Sequence, residues 1–207
     1  MIKKILYVLL GLSLCFALTG CFDKEENENS KSRLSEFTST IDEDKGIHID
    51  YETTYEGNTT EIVEYKKDDN VYTKTISQGS STIYLLTGDV LYSLLPDTKF
   101  GTKRVPTEEE KEDEMKINYD VVEEYAEETE YKTGETKVEG KEYYYEEYTL
   151  DNGVKTRFFF DGKELKYKID YKEDNKTVDM KIKYNTFDSD VDDSIFEVPS
   201  DYKIEDA

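Results

Sequence analysis

From Gly46 onward, apolar and polar residues alternate with a period of two. Ile47, Ile49, Tyr51, Thr53 and Tyr55 interleave with His48, Asp50, Glu52 and Thr54, the pattern of a half-buried strand. "GNT" at 57–59, "KDDN" at 67–70 and "SQGSS" at 77–81 are turn signals. They bracket further strands over roughly 60–67 and 71–77. Ahead of this region the period is helical: Leu34, Phe37 and Ile41 fall on one face of a helix predicted over about 32–43.

The stretch "TIYLLTGDVLYSLLP" departs from simple alternation. Gly88-Asp89 suits a two-residue hairpin turn, and apolar residues stand on both parities of the flanking strands. Ile83, Leu85, Leu91 and Leu95 form one set; Tyr84, Leu86, Tyr92 and Leu94 form the other. A strand apolar on both sides is expected to be covered on both faces. Ile83, Leu85, Leu86, Leu91, Leu94 and Leu95 are therefore the candidate lining of a core or an apolar cavity, one set meeting a helix and the other an opposite layer or a cavity.

After the "PDTKFG" turn, Thr107 and Glu110 fit a helix-capping box at the head of an acidic run. Met115, Tyr119, Val122 and Ala126 continue at helical spacing, predicting one or two helices within 107–129. Hairpins then resume, with "DNG", "DG" and "EDN" as turns, and "DDSIFEVPSDYK" closes the chain as a terminal strand or docking segment around Phe196. The order is one helix, five strands, a helical segment and about five strands. That is an α+β domain with one large antiparallel sheet, which curls at such a size. The helices then belong on its apolar concave face.

The first 20 residues form a separate unit. Lys3 and Lys4 precede the apolar run Ile5–Leu18, which is too short to span a bilayer but suits a signal peptide. Leu18-Thr19-Gly20-Cys21 resembles the lipobox of bacterial lipoproteins. The resemblance implies a diacylglyceryl thioether on Cys21, cleavage before it, and anchoring of the mature chain to the bacterial membrane from the extracytoplasmic side, at the cell surface if the envelope has one membrane. Two acyl chains on one residue hold a soluble domain stably where one would not. Cys15 leaves with the signal, so no intramolecular disulfide is expected. The expected organisation is a signal peptide over 1–20, a polar tether over 21–33 and a single domain over 34–207.

The net charge of −22 becomes about −24 once Lys3 and Lys4 are removed. Such a chain repels nucleic acid and anionic headgroups. Its 18 Tyr and 9 Phe, together with the strand periodicity, argue against disorder.

The leading helix "RLSEFTSTI", the hairpin "IYLLTGDVLYSLLPD", the run "GKEYYYEEYTLDNGVKTRFFFDGKELKYKI" and the ending "VDDSIFEVPSDYKI" together resemble the LolA- and LppX-like lipoprotein-carrier superfamily. The resemblance is one of element order and covers about 33–204. It implies an unclosed half-barrel with helices on the concave side, and an acyl chain or other apolar ligand bound there.

No catalytic constellation emerges. His48 has no motif partner, and the chain has no G-x-S-x-G, no H-E-x-x-H and no phosphate-binding glycine loop. "DSDVDDSIFE" places acids at alternate positions but has Asp193 and Pro199 where a calcium loop needs Gly and Glu. Tyr143 and Tyr145 share one strand face and Tyr144 and Tyr148 the other, as sheet packing requires. No metal or cofactor is expected. The leading functional expectation is a non-enzymatic, lipid-anchored domain carrying an apolar ligand. The alternative is an interaction module that meets an envelope protein through a sheet edge or an acidic face.

Overall fold

The structure is a computed structural model and describes residues 31–207 apart from 151, 152, 173 and 175. The expected signal peptide over 1–20, Cys21 and residues 21–30 of the expected tether lie outside the described residues. A short helix, α1 (Arg33–Thr38), leads into a six-strand meander: β1 (Ile47–Tyr55), β2 (Asn58–Lys67), β3 (Asn70–Ser77), β4 (Ser80–Thr87), β5 (Val90–Leu95) and β6 (Phe100–Arg104). Two helices follow, α2 (Glu108–Glu114) and α3 (Asn118–Ala126). A second meander comprises β7 (Lys132–Val138), β8 (Lys141–Thr149), β9 (Lys155–Asp161), β10 (Glu164–Tyr171) and β11 (Val178–Ser189), and β12 (Lys203–Asp206) ends the chain.

All twelve strands form one unclosed sheet in the order β12-β6-β5-β4-β3-β2-β1-β11-β10-β9-β8-β7. Among the described residues, only the β12–β6 pair is parallel. The two meanders join where β1 pairs antiparallel with β11, with a bulge at Asp50/Tyr51. This is the α+β half-barrel class expected from the sequence. Tight turns set the register. In Glu56-Gly57, Gln78-Gly79 and Glu139-Gly140 both residues have positive φ, which matches the right-handed twist of the strands they join.

The predicted first helix stops early, at Thr38. The Thr38 and Thr40 hydroxyls donate to the carbonyls of Ser35 and Phe37. Such local bonds compete with helix propagation. Ile41 still packs against the core. The turn expected at "PDTKFG" is shorter than its six residues, because Phe100 and Gly101 begin β6. A side chain at position 101 would force its neighbours to shift. A Cβ would stand 2.6 Å from Leu94 Cδ2 and 2.9 Å from Ile204 Cδ1.

The main core lies between the sheet's inner face and the helices. Leu34 and Phe37 of α1 and Tyr119 and Val122 of α3 meet Ile47, Ile49, Tyr51, Tyr148, Phe158, Phe160 and Ile182. On the outer face, a second cluster forms where the segment after β11 crosses β3–β5, with Val191 and Phe196 against Ile83, Leu85 and Leu94. A third cluster comprises Val138, Tyr143, Phe159, Tyr167 and Ile169, on the outer side of β7–β10.

The two-sided hairpin is covered on its outer face and, at Leu86 and Leu91, on its inner face, and its residues are shared out differently from the parity sets. Thr87 pairs with Val90, so Leu86 faces Leu91, Leu85 faces Tyr92 and Ile83 faces Leu94. Crossing this turn exchanges odd and even positions. Leu86 and Leu91 belong to the inner core, whereas Ile83, Leu85 and Leu94 belong to the outer cluster under Phe196. Leu95 lies on the inner face and is 41% exposed.

Candidate binding groove

Two buried glutamates fasten the helices to the inner face. Glu146, an inward residue of β8, is essentially inaccessible to solvent. Its Oε1 accepts the Arg33 backbone N–H at 2.6 Å and its Oε2 accepts that of Leu34 at 3.1 Å. The Tyr148 and Tyr144 hydroxyls donate to the same carboxylate at 3.1 and 3.4 Å. Glu64 of β2 does the same for α3: its Oε2 accepts the Asn118 N–H at 2.9 Å and its Oε1 the Tyr51 hydroxyl at 3.2 Å. Each carboxylate thus supplies the acceptor that a helix N-terminus lacks. Burial dominates both titrations. It pushes Glu64 up to about 7 against the bonds from Asn118 and Tyr51, with Asp120 adding to the rise. It also raises Glu146.

Beside Glu146 runs an inner-face polar chain. Lys168 Nζ donates to both Asp170 oxygens at 2.9 and 2.6 Å, and Thr156 Oγ1 donates to Asp170 Oδ1 at 2.8 Å. The Tyr125 hydroxyl lies 3.1 Å from Thr156 Oγ1. This fixes Tyr125, whose ring also stands edge-on to Phe158 and Tyr148, with centroids at 5.2 and 5.5 Å.

Tyr125 therefore forms the wall of a groove between the end of α3 and the end of β8. The groove encloses about 430 Å³ and is lined by Glu124, Tyr125, Glu128, Glu130, Tyr148, Thr149 and Leu150. Leu150 is 42% exposed. Burial raises the Tyr125 hydroxyl pKa, opposed by Thr156, and the carboxylates of Asp170, Glu124 and Glu128 raise it further. A smaller groove of about 200 Å³ lies beside α1, between Phe37, Leu165, Tyr184 and Phe187.

The leucines singled out from the sequence line neither groove. In the sequence, the groove residues read only as a helix end and a tyrosine-rich strand. The helical spacing that ends at Ala126, and the inward parity of Tyr148, are the available signals. His48 stacks on Tyr65 at 4.4 Å and approaches Asp188 at 3.2 Å on the outer face. Among the described residues, no three His, Cys, Asp or Glu side chains are grouped so as to hold a metal ion. Asp192 of the acidic loop accepts the Ser194 N–H at 2.8 Å, capping a short 3-10 turn.

The sequence matches no protein-family model and no curated protein. Solved structures of similar architecture include an uncharacterized conserved protein from Thermus thermophilus, at 9% identity and TM-score 0.47, covering 84% of this chain and 95% of that one. MucB aligns at 11% identity and TM-score 0.43 over 83% of this chain and 63% of its own, so the chain spans less than two thirds of MucB. A LolA superfamily protein from Nitrosomonas europaea aligns at 11% identity and TM-score 0.32, covering 80% and 96%. These are likenesses of overall architecture, and no residue's role carries over from them.

Proposed function

We propose that this chain is a non-enzymatic, extracytoplasmic binding domain, tethered to the membrane through lipid on Cys21, and that it engages a protein partner through the groove between α3 and β8. The observation that carries this reading is the occupied inner face. Where a half-barrel carrier would house an acyl chain, Leu34 from α1 and Val122 from α3 are packed to 0% exposure against Phe158, also at 0%. The helices themselves fill that space, and two buried glutamates hold them there. The groove, in contrast, combines aromatic walls, an exposed leucine and charged rims, the mixture found at protein-binding patches.

The apolar-ligand reading keeps one specific support. On the inner face of β4 and β5, outside the helix-covered core, Tyr84 is 43% and Leu95 41% exposed. Native mass spectrometry of the full protein, extracted from bacterial membranes in a neutral detergent, separates the two. The module reading expects a lipidated chain, a stoichiometric protein partner and no further acyl mass, and expects Leu150→Ser to release the partner. A stoichiometric acyl ligand on the lipidated chain, without a protein partner, would overturn it in favour of the carrier.

A further inference from the structure

The α3–β8 groove has an unusual electrostatic arrangement. Elsewhere on this sheet the inward or buried carboxylates have partners: helix N–H groups and tyrosine hydroxyls for Glu64 and Glu146, cations for Glu147 and Asp170. Glu147 meets Lys155 and Arg157 at 2.6 Å each, and Asp170 meets Lys168. Glu124, Glu128 and Glu130 have no lysine or arginine partner among the described residues. They also stand at the wrong end of a helix. The C-terminus of a helix carries partial negative charge and favours cations. The last turn of α3 contains no basic residue, its C-cap is Glu127, and Glu123 and Glu124 precede it. The helix end, the carboxylates and the side chains of Tyr125 and Tyr148 all line one groove.

We infer that this groove takes a cationic, apolar peptide segment of a partner protein. A lysine or arginine head sits among Glu124, Glu128 and Glu130, while its aliphatic stem and a neighbouring apolar side chain lie against Tyr125 and Leu150. The inference rests on the binding-module reading. Three features select this occupant. The unmatched charge calls for a cation. Aromatic rings accept a cation over their faces and a methylene stem along them. Exposed Leu150 and the tyrosine walls reward apolar contact, which an inorganic cation cannot supply. An acyl carboxylate, sharing the sign of the rim, is repelled.

The arrangement also predicts opposite effects on the free and bound states. Removing acids from the C-terminal end of α3 relieves an unfavourable helix-end interaction, so Glu124→Gln/Glu128→Gln is expected to raise the melting temperature of the free protein. The same change weakens the complex.

The test uses the full chain in neutral-lipid nanodiscs, with empty nanodiscs as blank, and fluorescence anisotropy of three labelled peptides. These alternate Lys-Leu, Lys-Gly and Glu-Leu. Lys-Leu is expected to bind, Lys-Gly about tenfold more weakly and Glu-Leu not at all. The triple variant Glu124→Gln/Glu128→Gln/Glu130→Gln should lose about tenfold or more for Lys-Leu. Removing the same charge from exposed α2 positions, as Glu108→Gln/Glu109→Gln/Glu112→Gln, should change binding by less than about twofold. Equal losses in the two triples would mean attraction to net charge alone and would overturn the inference, as would equal binding of Lys-Gly and Lys-Leu, or no binding. A partner retained in native mass spectrometry by the groove triple would also sink this inference while leaving the module reading intact. An acyl ligand in place of a protein would remove the module reading itself.

Discussion

The Glu64 carboxylate accepts the backbone N–H of Asn118 at 2.9 Å across 54 residues of chain, so a sheet residue closes the N-terminus of α3. Tyr51 donates to its other oxygen, and Lys66 and Asp120 form an ion pair nearby at 2.8 Å. Burial raises the Glu64 pKa from the usual 4.5 to about 7. The folded chain therefore binds this proton more tightly than the unfolded chain. The resulting stabilisation is full below about pH 4.5 and is lost as pH rises through about 7. At about 1.4 kcal/mol per unit, the loss is on the order of 3 kcal/mol. Urea denaturation of wild type and Glu64→Gln from pH 4.5 to 8 should show the wild-type advantage shrinking as pH rises. A pH-independent difference would mean that Glu64 titrates normally.

Glu146 receives two helix amides and two tyrosine hydroxyls. Glu146→Ala removes the acceptor shared by the Arg33 and Leu34 N–H groups and the Tyr148 hydroxyl, each unmet buried donor costing about 1–3 kcal/mol. The expected loss is at least about 3 kcal/mol, with Glu146→Gln milder because it keeps an acceptor. Hydrogen exchange should place the damage in α1, through faster exchange at Arg33 and Leu34. Unchanged protection there would mean that the helix does not depend on this carboxylate.

The turn at Gly88-Asp89 puts Leu85 and Leu94 on one face and Leu86 on the other. Each truncation to Ala should cost about 2–5 kcal/mol. Leu85→Ala and Leu94→Ala share a cluster with Phe196 and should be non-additive, whereas Leu86→Ala with Leu94→Ala should add. Double-mutant cycles by denaturant melts read this directly. Additivity within the Leu85–Leu94 pair would contradict the shared cluster.

Cys21→Ala is expected to abolish incorporation of a labelled fatty acid and to leave the chain unprocessed or released from the membrane. Undiminished labelling of the variant would rule out lipid attachment at Cys21.

Much of this architecture is legible in the sequence because strands and turns are local. Alternation at 47–55 and the Gln78-Gly79 and Gly88-Asp89 pairs locate strands to within two residues. The Thr107–Glu110 box is equally local, with Glu110 N–H donating to Thr107 Oγ1 at 3.3 Å. The roles of Glu64 and Glu146 are illegible for the opposite reason. On an alternating strand, a glutamate reads as solvent-facing, and only a helix arriving from elsewhere in the chain makes it a buried acceptor. The short polar strands β6 and β12 are supported by their neighbours rather than by their own residues, and the groove exists only where α3 and β8 meet.

The β1–β11 seam sets the order in which the molecule can assemble. His48 and Asp188, which face each other across it, are 140 residues apart in the chain. Within each meander every strand finds its partner next in sequence, so hairpins can form as the chain emerges. The first meander must then wait with the β1 edge unpaired until almost the whole polypeptide has appeared. An open strand edge is a template for pairing with another copy. How soon the second meander arrives, rather than the strength of the finished sheet, is then expected to govern how much of this protein escapes self-association.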